Sequence, residues 1–366
     1  MNKKHGRCRT LFICKKRLDS YGVSFGLLNS ATFVSNFLNN NGIESKVVMV
    51  VDNNGIDREV KQFNPTHVFI EALWVVPEKF HILLKLYPSV KWIIRIHSQI
   101  PFIANEGIAV KWIYGYLKIS KKYKNLFLSF NSDNCSEDFS KIGIENIYLP
   151  NIYETKIGDV KEQDYTSPCF FECFSEIYSW MYQKKPRIIK PNINIGCFGA
   201  IRPMKNHLAQ AFAAIAFCNK MDMRLKFHIN SNRIEQKGEE VLKNIRYLFE
   251  NSQNHSLVEH KWMSHDKFIK LIKTMDLGMQ VSFSETFNIV TADFVWNEIP
   301  VVVSPEMTWL PDQVKASPTS IDSIIDVMEN YFKSENKNLE KKNKKYLIRH
   351  NEKSGDIWLE YFSRTC

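Results

Sequence analysis

Two consecutive α/β domains, each built on a doubly wound parallel sheet, are predicted by three observations. The chain has 366 residues, more than one typical domain holds and enough for two with cores of their own. Short β-branched runs alternate with stretches of helical apolar spacing, the pattern of strands joined by crossover helices. That alternation breaks between residues 156 and 192 and then restarts. Hydrophobic residues at 44% and charged residues at 24% are ordinary for a globular chain, which excludes the disordered and fibrous classes.

The first domain, residues 1–155, reads as strands at 10–14, 46–51, 67–72, 91–96, 126–130 and 146–149. Helical stretches lie between them at 27–39, 77–86, 109–119 and 137–141. Residues 156–192 are charged, aromatic and proline-containing, and read as a linker with a helix inserted at about 173–182. The second domain, 193–345, has strands at 194–198, 225–229, 256–260, 277–281 and 300–303. Its helices are expected at 207–218, 239–249, 265–275, 288–297 and 321–332. In the last of these, Ile321, Ile324, Ile325, Met328 and Phe332 recur at helical spacing, so one face is core. Residues 346–366 are expected to form a C-terminal helix that crosses back to the first domain. Two open α/β sheets in sequence place their ligand crevices outside the carboxyl ends of the strands, so a cleft between the domains is expected.

No apolar run approaches the roughly 20 residues of a membrane-spanning helix. Near the start, only Leu11, Phe12 and Ile13 separate a basic segment from Lys15, Lys16 and Arg17, too few apolar residues for a signal-peptide core. The expected location is cytoplasmic, with peripheral association at a membrane left open. Eight cysteines, at 8, 14, 135, 169, 173, 197, 218 and 366, sit mostly in apolar stretches and read as buried free thiols. Cys169 and Cys173 are close in sequence, but no second pair or nearby histidine completes a zinc set. No metal site is expected.

Lys and Arg number 49 against 39 acids, a net charge of +10 that favours an anionic partner such as nucleotide phosphates, a membrane surface or DNA. The lysine runs at 121–124 and 341–345 read as solvated faces or linkers. More specific is the turn Gly199-Ala200-Ile201-Arg202-Pro203-Met204-Lys205-Asn206, between a strand and a helix. Its glycine admits a ligand to the backbone, and its two cations suit a diphosphate. A second strand-to-helix turn runs from Val281 through Ser284, Glu285, Thr286, Phe287, Asn288 and Ile289 to Asp293. There the helix N-terminus is a ready anion site, with Ser284 or Thr286 as its expected cap. Glu285 and Asp293 stand eight positions apart, one before the helix and one about two turns into it.

On these residues the chain resembles the retaining glycosyltransferases of the two-Rossmann-domain type called GT-B, in the group with an E-x7-E motif (family 4-like, glycosyl transferases group 1). Gly199 with Lys205 fits that family's strand-end glycine and phosphate lysine, and Glu285 with Asp293 fits its acidic pair. The following 296–303 looks like its helix end and Pro-Val strand. The resemblance implies a nucleoside-diphosphate sugar as donor and transfer to an acceptor hydroxyl with retention; without a metal-binding carboxylate cluster, no essential metal is expected. Arg202 and Lys205 would hold the diphosphate, Asp293 the ribose, Glu285 the sugar ring, and the amides of Phe287, Asn288 and Ile289 a phosphate. Departures are visible: Ala200 stands where the family usually has Arg, the second acid is Asp rather than Glu, and Asn288 replaces a frequent glycine.

In the first domain, Gly22 and Gly26 lie in a loop where this family keeps glycines near the reacting sugar, and His97 ends the fourth strand where the family presents a histidine to it. Glu71 and Glu106 border the expected acceptor side, and either is a candidate to orient an acceptor hydroxyl. The acceptor reads as an anionic glycan or a glycolipid at a membrane surface, approached through Lys15, Lys16, Arg17 and 118–124. Modification of DNA bases stays open, although no helix-turn-helix or zinc-finger pattern is present. A sugar-nucleotide epimerase or an inactive binding protein of the same fold also stays open.

Overall fold

A computed structural model describes residues 8–16, 25–154, 192–331 and 338–366. The helix expected at 173–182, Gly22, Arg17, Cys169 and Cys173 lie outside the described residues. The chain divides into two compact units, one of Met1–Glu154 with Arg349–Cys366 and one of Thr155–Ile348.

The first unit carries six strands, β1 (Arg9–Lys15), β2 (Glu44–Val50), β3 (His67–Glu71), β4 (Lys91–Ile96), β5 (Leu126–Phe130) and β6 (Ile147–Tyr148), in the order β2-β1-β3-β4-β5-β6. Every pairing is parallel. Successive side chains of a strand point to opposite faces, and both faces here are covered. Leu11, Ile13, Val68, Ile70 and Ile94 meet helices Gly55–Phe63, Pro77–Leu86, Ala109–Lys122 and Asp133–Lys141. Phe12, Phe69 and Ile93 meet Ala31, Val34 and Leu38 of helix Phe25–Asn40 together with Trp358 and Phe362. The sheet is doubly wound, as expected.

Three details differ from the sequence expectation. Helix Gly55–Phe63 was hidden by its charges, because only Ile56 and Val60, one turn apart, are fully buried in it. The C-terminal helix runs over Leu339–Thr365 and so starts within the lysine run, whose Lys341, Lys342 and Lys345 occupy its exposed side while Asn343 and Leu347 are buried. The reading of all cysteines as free thiols is corrected at two positions: Cys8, just before β1, and Cys366, after the helix, form a disulfide with Cα atoms 5.9 Å apart. The two are 358 positions apart, so only the fold brings them together. Cys14, Cys135, Cys197 and Cys218 are buried and free.

Among the described residues the second unit has five parallel strands, β7 (Asn192–Gly196), β8 (Arg224–Asn230), β9 (His255–His260), β10 (Leu277–Gln280) and β11 (Val301–Val303), in the order β11-β10-β7-β8-β9. The strand order therefore reverses between β1 and β3 in one unit and between β7 and β10 in the other. At such switch points an open α/β sheet leaves its ligand crevice, outside the carboxyl ends of the strands. Among the described residues no helix is long and apolar enough to cross a membrane.

Candidate functional site

The residues singled out in the second unit leave the two strands that flank its switch point. After β7 the chain reaches Gly199 at φ +129, a backbone conformation that L side chains rarely adopt, and a Cβ there would point at Lys205 Nζ, 3.8 Å away. The loop turns through a 3-10 segment, Pro203–Lys205, and enters helix His207–Lys220 at Asn206, itself left-handed at φ +56. Amide side chains bind this loop to the end of β10. Asn206 Nδ2 donates to Val281 O (3.1 Å) and Pro318 O (2.8 Å). Gln210 Oε1 accepts from Val281 N (2.8 Å) while its Nε2 donates to Lys205 O (2.8 Å).

The loop after β10 supplies Glu285, whose carboxylate accepts a short hydrogen bond from Lys205 Nζ, both side chains being largely buried. Two positions 80 apart in sequence thus meet where the strand order reverses. The carboxyl of Glu306 lies nearby and is held above its ordinary range by burial and by the charge of Glu285, against a hydrogen bond from the backbone of Glu285. Helix Ile289–Trp296 begins beyond it, and its cap is Asn288, not Ser284 or Thr286. The chain needs a left-handed residue there, φ +57, which Asn tolerates. Asn288 Oδ1 accepts from Thr291 N (3.0 Å), and its Nδ2 donates to Gln280 Oε1 (2.9 Å). Gln280 Nε2 donates in turn to Phe198 O (2.9 Å), so the helix start is tied to the end of β7. Trp309 Nε1 holds Phe287 O at 3.0 Å.

Arg202 shares Glu235 with Arg233: Arg202 Nη1 lies 3.2 Å from one carboxylate oxygen and Arg233 Nη2 2.7 Å from the other. Arg233 also stacks on Trp262, 4.8 Å from the ring centroid. Two guanidinium groups against one carboxylate leave this group cationic. Asp293 is 1% exposed and pairs with His265 Nε2 at 2.7 Å, so it does not join Glu285. His207 is buried behind Lys205 and Arg202. Burial, then the charges of those two cations, pulls its pKa down to about 3, so its ring is neutral. Asn206, Gln210, Arg233, Glu235 and His265 were not anticipated from the sequence, where nothing but proximity to Lys205 marked even the first two.

In the first unit Glu71, Arg95 and His97 form one cluster at the ends of β3 and β4. Arg95 Nη1 lies 3.2 Å from Glu71 Oε2, and both side chains are wholly buried. Its other nitrogens donate to Leu149 O (3.3 Å), Pro150 O (3.0 Å) and Asn151 Oδ1 (2.6 Å). Asn131 Nδ2 donates to His97 Nδ1 (3.1 Å), which puts the ring proton on Nε2, where it is given to Glu71 Oε2 at 2.5 Å. Burial alone would raise the Glu71 pKa, but Arg95 and His97 outweigh it and hold the carboxyl below its usual range. Burial, with Arg95 beside it, keeps the His97 pKa low despite Glu71. The expectation that Glu71 could orient an acceptor hydroxyl is therefore corrected: its oxygens are buried and committed to Arg95 and His97. Glu106 is half-buried in the loop before helix Ala109–Lys122, and Gly26 is exposed in the first turn of helix Phe25–Asn40 rather than in a loop.

No family model and no curated protein matches this sequence. Solved structures do match its fold. The N-terminal domain of Candida albicans trehalose-6-phosphate phosphatase aligns at TM-score 0.67 with 11% identity, over 100% of this chain and 98% of the other. An E. coli trehalose-6-phosphate protein bound with UDP-2-fluoro glucose aligns at 0.65 with 10% identity, over 98% of each chain. Sucrose-phosphate synthase of Thermosynechococcus elongatus aligns at 0.62 with 9% identity, over 98% of this chain and 100% of the other. With its two parallel α/β sheets, the chain has the GT-B fold that these structures share.

Proposed function

We propose that this protein is a glycosyltransferase that moves a sugar from a nucleoside diphosphate to a carbohydrate hydroxyl, with retention and without an essential metal at the transfer step. The observation that carries the reading is the meeting of Gly199, Lys205 and Glu285 at the switch point of the second sheet. A bare strand-end glycine, a buried ammonium and a helix N-terminus converge there, which is the equipment for a diphosphate leaving group. Lys205, and Arg202 released from Glu235, meet the negative charge that grows as the sugar departs. Glu285 holds Lys205 in place before the donor arrives and faces the sugar ring afterwards. Asp293 takes the ribose hydroxyls, with His265 fixing its carboxylate. The amides of Phe287, Asn288 and Ile289 serve a phosphate. His97, in the neutral form with its proton on Nε2, belongs to the first unit, which takes the acceptor.

UDP is the first nucleotide to test, because a UDP-forming trehalose-phosphate synthase of Burkholderia xenovorans and an E. coli protein bound with UDP-2-fluoro glucose share the fold. The test is thermal stabilisation by UDP-, GDP-, ADP- and dTDP-sugars, followed by turnover on glycan, glycolipid and DNA acceptors in the presence of a chelator. The expected result is a shift with one nucleotide, lost in Lys205→Ala, and transfer to the glycan that survives chelation. A flat panel refutes the donor site, and conversion of the donor with no acceptor present makes the protein an epimerase instead.

A further inference from the structure

The amino ends of the strands in the first unit hold a second cluster, at the edge of the sheet opposite Glu71 and His97. Cys8 precedes β1, His67 opens β3 beside it, and Cys366 ends the chain after helix Leu339–Thr365. The two sulfurs and a ring nitrogen of His67 all lie within 4.8 Å of one another. Hydrogen bonds set the imidazole tautomer. Thr365 Oγ1 donates to Tyr361 O (2.8 Å), so it accepts from His67 Nε2–H at 3.1 Å. The lone pair is left on Nδ1, which takes the Thr66 hydroxyl proton at 2.9 Å and has Cys8 Sγ at 3.9 Å. Thr66 Oγ1 lies 2.9 Å from Nδ1 and 3.1 Å from Arg9 O. When the Thr66 hydroxyl turns its proton to Arg9 O instead, Nδ1 is open to a metal held by the two sulfurs, while Nε2 stays anchored by a hydroxyl as in metal-ligating histidines.

We propose that Cys8, His67 and Cys366 form a redox-gated metal site: with the cysteines reduced, two thiolates and His67 Nδ1 bind a zinc-like divalent ion, and with the disulfide closed the ligands are withdrawn. A dithiol reductant opens the bridge by thiol–disulfide exchange, its own two sulfurs becoming a disulfide while its two protons pass to Cys8 and Cys366. The metal then displaces both protons to solvent. Three protein ligands leave one tetrahedral position for water. The site is independent of the sugar-transfer reading.

The experiment uses the full chain, reduced with a phosphine and freed of it, and titrated with Co²⁺ as the spectroscopic probe. One equivalent is expected to bind with thiolate-to-metal charge-transfer absorption, to be displaced by Zn²⁺, and to be absent from the air-oxidised protein. Cys366→Ser, at the last residue of the chain, is expected to abolish the band with the far-UV spectrum unchanged. Because substitution of buried His67 also disturbs packing, Thr365→Val serves as the milder variant, removing the hydroxyl that anchors Nε2, with affinity expected to fall about 10- to 100-fold. Reduced protein that shows no charge-transfer band, or Cys366→Ser that keeps it, overturns the proposal.

Discussion

The two units place charged side chains at the same kind of address, the carboxyl ends of parallel strands, and treat them in opposite ways. In the first unit Arg95 and Glu71 are 0% exposed, and Arg95 is bonded to two backbone carbonyls and an amide besides. That cluster is saturated, and its charges serve the fold and the orientation of His97. In the second unit the side chains of Arg202 and His265 remain 18% and 31% exposed beside Glu235 and Asp293, open enough for a ligand to reach them. Strand-end charge is therefore an ambiguous sign of function until burial is known. A buried ion pair with every donor satisfied is structural, whereas a partly exposed pair at a strand end is equipped to meet a substrate.

The largest expected effect that would break this contrast is on stability. Arg95→Ala leaves Glu71 as an unpaired buried carboxylate and is expected to cost about 3–5 kcal/mol in chemical denaturation. Lys205→Ala should cost distinctly less, since Glu285 lies nearer to solvent. Equal losses would mean that the two clusters do the same job. Kinetics should reverse the ranking, with Lys205→Ala lowering turnover about 10²- to 10³-fold at saturating donor. Reducing the Cys8–Cys366 bridge, measured as the denaturation midpoint with and without reductant, is expected to remove about 2–4 kcal/mol, and Cys366→Ser should reproduce this without reductant.

A smaller and graded effect should appear with pH. Burial, the first cause in each case, brings the pKa of His67 in one unit and of His228 in the other down to about 4, with Lys91 and His260 respectively adding to it. Both are neutral when folded, while the unfolded chain protonates them near the ordinary 6.5. The unfolded state then binds more protons, so stability should fall as pH drops from about 6.5 through 4. His228→Asn should flatten that slope, and an unchanged slope would show that His228 is not a source of it. Smallest of all, His265→Ala should weaken nucleotide binding by about tenfold or less with little change in folding, because it touches donor only through Asp293.

Much of this was legible in the chain before folding. The alternation of β-branched runs and helical spacing placed all eleven strands within a few residues, because a strand covered on both faces must be apolar along its length. Gly199, Lys205 and Glu285 were visible as two strand-to-helix turns with the right side chains. Helix Gly55–Phe63 was not, because two core positions among charges carry too weak a period. The Asn288 cap was missed because capping depends on a backbone angle, and Ser284 and Thr286 are equally good caps by type.

What the sequence by itself determined is local: the period of each element, the residues able to leave a turn unhindered, and the side chains able to meet an anion. Only the tertiary structure decided which of them meet. Lys205 reaches Glu285 across 80 positions, Glu71 is locked by Arg95, and Cys8 finds Cys366 across 358, because parallel strands joined by crossovers bring distant chain ends to one sheet edge. Local propensity acts over a few residues, and partnership and burial are set by packing, so composition and spacing do not contain them.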